Sequence, residues 1–110
     1  MLRWSAEKTQ RPVDLRAIAD PDVDPLVPGG RELAELGRQA VGREADRTAF
    51  DRVAGVLGTE AAVDAVCVAA AFEGFNRIVD ATGLGLTRAR RRELVDVIDL
   101  LDLGRFPHAR

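Results

Sequence analysis

The 110 residues contain one cysteine, one histidine and one lysine. A lone Cys67 excludes an internal disulfide and any CxxC redox centre. A lone His108 leaves no Cys/His cluster of the kind that holds zinc. Positive charge is also short: 16 basic against 18 acidic residues give a net charge of −2. General affinity for nucleic acid needs a basic excess on one face, so that class is disfavoured. No apolar run reaches the roughly 18 residues of a membrane span, and the N-terminus lacks the apolar core of a signal peptide. A cytoplasmic address is the expectation that follows. Nowhere does apolar–polar alternation persist long enough for a half-buried strand.

Helical period is what remains. With 46% hydrophobic and 31% charged residues, the composition is that of a globular domain. The spacing predicts one all-α domain over residues 1–110, of about five helices. Leu2 to Gln10 reads as a short helix turning Leu2, Trp4 and Ala6 inward, stopped by Pro12. Leu15 to Ala19 reads as a helical turn capped by Asp14. Residues 20–30 hold three prolines and two glycines and form the clearest loop. Its aspartates do not make a calcium loop, because the prolines break the required spacing. From Arg31 the residues Leu33, Leu36, Gly37, Ala40 and Val41 share a face. Ala45, Ala49, Val53, Val56 and Leu57 continue to Gly58, and Gly42 either separates two helices or bends one. Gly58 and Thr59 read as a C′ glycine followed by an N-cap hydroxyl.

A central helix over about 60–81 follows, closed by Gly83. Eight residues from Ala65 to Phe72 lack a polar side chain apart from the Cys67 thiol, so this helix is expected to be the buried centre. A last helix over about 88–103 is capped by Thr87, with Leu94, Ile98 and Leu101 as its stripe, widened by Val95 and Val97. Arg88, Arg90, Arg91 and Arg92 crowd its N-terminus against the macrodipole. They read as a solvated face in which Arg92 pairs with Asp96, in preference to an anion or acidic-partner site.

The polar residues of the central helix carry the chemistry. Glu73 and Arg77 stand i,i+4, as do Asn76 and Asp80. On a buried helix each must meet a partner, which predicts a packing contact or a subunit interface. The alternative is a small pocket of Trp4, Phe72, Phe75, Asn76, Arg77 and Asp80, in which Arg77 holds an anionic ligand bidentately. Cys67 lies mid-helix with Asp64 as the nearest charge, far from the electropositive setting of a reactive thiolate, and reads as a packing residue. His108 lies on the tail beyond Pro107, poorly placed for a general base. No catalytic residue, cofactor or metal site is assigned.

Two stretches resemble the alkyl hydroperoxidase D-like (carboxymuconolactone decarboxylase-like) proteins. LRWSAEKTQRP is similar to the family helix L-R-Y/F-A-x-K-x-T-x-x-P. VDAVCVAAAFEGFNRIVDATGLGL resembles a later family helix, with Phe72, Asn76, Arg77, Asp80, Ala81, Gly83 and Leu84 on its motif. The link over residues 13–58 is longer than the family's and different in wording. The resemblance implies an all-helical, tightly associated, intertwined oligomer. It also places the chain in the C-terminal half of the family unit, without the CxxC pair and proton relay of the peroxidases. A non-redox structural or binding module is then expected, homo-oligomeric or accessory to a partner carrying the catalytic half. Two alternatives stay open: a peroxidase-like or decarboxylase-like enzyme completed across a subunit interface, and a small helical nucleic-acid-binding regulator.

Overall fold

The computed structural model describes residues 2–42, 46–85 and 87–103, with side chains described from Ala6 onward. Every regular element among them is helical, so the chain is all-α. The sequence reads as one domain over residues 1–110; the chain gathers into two compact units, Met1–Glu73 and Gly74–Arg110, each described by itself.

In the first unit, α1 spans Leu2–Thr9. A 3-10 turn, Leu15–Ile18, is capped by Asp14, whose carboxylate accepts the Arg16 N–H at 3.0 Å and the Arg16 guanidinium at 2.6 Å. Those Arg16 hydrogen bonds hold the Asp14 carboxyl below the usual carboxylate range. The loop ends at Gly29, whose φ of +65° suits glycine. A Cβ there would sit 2.7 Å from the Leu57 side chain, so the loop rests directly on the end of α3 (Thr48–Leu57). Helix α2 runs Gly30–Gly42, and the non-helical Asp46 and Arg47 before α3 make α2 and α3 two separate helices.

Helices α2 and α3 pack on each other. Leu36, Ala49 and Val53 form the core together with Ala62, which comes from the first turn of α4 (Thr59–Thr82). Leu33, Phe50, Ala54, Leu57 and Ala65 close around it. Gly58 makes the corner between α3 and α4. Its N–H donates to the Ala54 carbonyl, and its own carbonyl accepts the Ala62 N–H. Gly58 thus caps both helices, and Thr59, expected as the N-cap, is the first residue of α4.

Just ahead of α3, the Asp46 Oδ1 accepts the Thr48 N–H at 2.8 Å and the Thr48 hydroxyl at 2.6 Å. The Thr48 hydroxyl, then its N–H, holds the Asp46 carboxyl below its ordinary 3.8. A depressed acid stabilises the fold above its unfolded pKa, and that contribution disappears as pH falls through the folded value. Wild type is therefore expected to lose thermal stability progressively below about pH 4. The part of that loss due to Asp46 should vanish in Asp46→Asn, which thermal melts between pH 2 and pH 5 would check.

Of α4, only Ala62 is buried, which corrects the expected buried central helix. The helix has 24 residues, and the α2–α3 core reaches only its first turns. Its end in the second unit is a paired cap. Gly83, at φ +66°, donates to the Asp80 carbonyl, and Leu84 donates to the Val79 carbonyl.

The expected single C-terminal helix is two short ones, α5 (Arg88–Glu93) and α6 (Val95–Leu100). They meet at Leu94, whose φ of −107° and ψ of 8° leave the helical region. Arg90, Arg91 and Arg92 fall in the last turn of α5, where positive charge suits the helix dipole, whereas in one longer helix they would crowd its N-terminus. Thr87 caps α5 as expected, accepting the Arg90 N–H at 3.2 Å. Leu101 is buried within this second unit.

Candidate functional site

The residues singled out on α4 lie in solvent. Phe72 is 53% and Phe75 63% exposed, and Asn76, Arg77 and Asp80 are exposed as well. The Trp4 side chain lies outside the described residues, as does His108, so a pocket built on Trp4 is not described.

Cys67 is exposed, correcting its assignment as a buried packing residue. The cause is angular. At about 100° per residue, Cys67 is about 200° around α4 from Ala65, which packs on the core. Cys67 should therefore react stoichiometrically with a polar thiol reagent without denaturant. Labelling only after unfolding would show the thiol covered.

In α5, Arg90 pairs with Glu93 at 2.7 Å, three residues on. Arg88, Arg90, Arg91 and Arg92 are all exposed. Among the described residues, no three of His, Cys, Asp or Glu come together as a metal site, and no helix is long and apolar enough to cross a membrane.

The described residues of the first unit include two concave apolar sites. One, of about 260 Å³, sits over the 3-10 turn and loop, between Leu15, Ile18, Pro25, Val27 and Ala34; Asp14, held by Arg16, is its one charged residue. The other, of about 300 Å³, lies between α2 and α4, lined by Leu33, Leu36, Gly37, Ala65, Val68 and Ala69. No charged or hydrogen-bonding side chain lines it, so it suits an apolar occupant. A Cβ built on Gly37 meets nothing within 4 Å, so the missing side chain widens the groove.

Sequence reasoning missed the pattern that runs from this groove along α4. Ala61, Ala65, Val68, Phe72, Phe75 and Val79 follow one another at alternating steps of four and three residues. That is the heptad spacing of a helix that packs lengthwise on another helix. The signal was available, but the apolar run from Ala65 to Phe72 hides it, because nearly every position in the run is apolar.

Compared with known protein families, curated proteins and solved structures, the chain matches none.

Proposed function

We propose that this chain is a non-redox helical docking module, presenting the heptad seam of α4 and the adjoining groove to another polypeptide. The observation that carries the reading is the exposure of Phe72 and Phe75 on that seam. Large contiguous apolar surface marks a protein contact.

The resemblance to alkyl hydroperoxidase D-like proteins belongs to the same proposal. It makes the chain a counterpart of that family's C-terminal half-unit, keeping the assembly surface and lacking the dithiol. Association with itself and association with a partner carrying a catalytic half both fit.

Peroxidase chemistry is the second reading, and the exposure of Cys67 is what favours it. A thiolate attacking peroxide gives a sulfenic acid, which a second thiol must resolve to a disulfide before reduction. This chain has only one cysteine, so that thiol would come from elsewhere. The test is peroxide consumption with a dithiol reductant. Rates equal to those of a Cys67→Ser variant are expected, and turnover lost in that variant would establish the enzyme reading. Docking is tested separately: an apolar fluorescent dye should bind wild type and bind Gly37→Leu, with its filled groove, far less.

A further inference from the structure

We propose that the cleft over the 3-10 turn is a second docking site, taking an apolar segment of a partner polypeptide flanked by arginine or lysine. It lies apart from α4 and does not depend on the docking reading above. Local bonds build the cleft. The Asp14 N–H donates to the Pro25 carbonyl at 3.1 Å, which ties the two ends of the loop together. Pro25 in turn lies close against the start of α2. A Cβ on Gly30 would sit 2.6 Å from the Pro25 ring, so glycine permits that approach. The result is an apolar concavity of about 260 Å³, already shaped and so cheap to fill in ordering entropy. Two of its lining residues, Ile18 and Val27, are 56% and 41% exposed. Beside Val27, Leu26 stands 53% exposed at a φ of +61°, a conformation that a leucine side chain disfavours. Three large apolar side chains are thus held in solvent at or beside one concave site, which marks a contact surface.

Charge decides the partner. The loop between Ile18 and Pro25, both lining residues, carries Asp20, Asp22 and Asp24, all exposed. Arg16 does not balance them, because Asp14 already holds it at 2.6 Å. Residues 14–32 contain five acids and two arginines, a net charge of −3. The Oδ1 atoms of Asp20 and Asp24 accept the Asp22 and Leu26 N–H groups at 2.9 and 2.8 Å, which fixes these carboxylates on the loop. An apolar cleft beside fixed negative charge selects an apolar residue flanked by cations. The same charge repels phosphate, which disfavours nucleic acid and anionic lipid as occupants. A small amine would answer one carboxylate at a time. The acids are spread along the loop from Asp20 to Asp24, so a polypeptide with several cations answers all three.

Peptide binding to the whole chain, followed by fluorescence anisotropy, tests this. The probes are a labelled peptide with a leucine–phenylalanine core between arginine pairs and its counterpart with glutamate in place of arginine. The arginine peptide is expected to bind, and the glutamate peptide to bind at least about tenfold more weakly, the combined effect of three exposed charges. Asp20→Asn/Asp22→Asn/Asp24→Asn removes the charge and keeps the Oδ1 acceptors of the loop. It should keep wild-type helicity, weaken the arginine peptide about tenfold and flatten the loss of binding with added salt. Ala34→Phe fills the cleft and should lose most of the binding, whereas Phe72→Ala on α4 should bind as wild type does. No binding of the arginine peptide, equal binding of the glutamate peptide, or an unchanged affinity in the triple variant or in Ala34→Phe would overturn the proposal. Weakened binding in Phe72→Ala would place the peptide on α4 and overturn it too. Phenethylamine binding to the cleft where the peptide does not would make the occupant a small amine, and the polypeptide partner would be wrong.

Discussion

Val53→Asp is expected to abolish folding of the first unit, read as loss of helical circular dichroism at 25 °C. Val53 is the one large side chain among the described residues that is completely buried, and it sits where α2, α3 and the first turn of α4 converge. No cationic residue belongs to that cluster. An unpaired buried carboxylate costs several kcal/mol, against a total stability of about 5–15 kcal/mol for a domain. This unit has few buried residues, so it should lie near the lower end of that range. The graded variant Val53→Ala should cost about 2 kcal/mol, combining two lost methylene equivalents with a small cavity. Chemical denaturation of Val53→Ala measures this directly, and a cost near zero would show that the core lies elsewhere.

Gly58→Val should have the second-largest effect, about 3 kcal/mol, with Gly58→Ala at about 1–3 kcal/mol. Gly58 has φ of 95° and ψ of 157°, a region that in practice only glycine occupies. Space is not the obstacle, because a Cβ there meets nothing within 4 Å. The cost is therefore backbone strain, and it falls on the corner that carries Ala62 of α4 into the core. The denaturation midpoint of each variant checks it. A shift as small as that of an ordinary exposed substitution would mean that the corner is not held in this conformation.

Much of the helical framework was legible because it is written in local chemistry. Asp14, Gly83 and Thr87 act as expected, since a capping side chain or a left-handed glycine needs only its own neighbours. Leu33, Leu36, Ala49, Val53 and Leu57 appeared at helical spacing and do lie in or against the core. Burial along α4 was not legible. An apolar run shows that a surface needs covering but does not say whether the same chain covers it. The prediction of a buried helix with Cys67 packed inside therefore failed. The break at Leu94 was also missed, because the apolar stripe continues across it and only charge crowding in α5 argues against one long helix. Among the candidate site residues, sequence placed Phe72 and Phe75 on the helix that matters. It did not separate them, as members of a seam, from Asn76, Arg77 and Asp80 beside it.

The central claim is that α4 presents an apolar docking surface, and binding of an apolar fluorescent dye to wild type and to Phe72→Ala tests it most directly. Wild type is expected to bind the dye, and Phe72→Ala to bind it far less with no loss of helicity. A wild-type protein that binds no dye, or a Phe72→Ala variant that binds as much, would contradict the account.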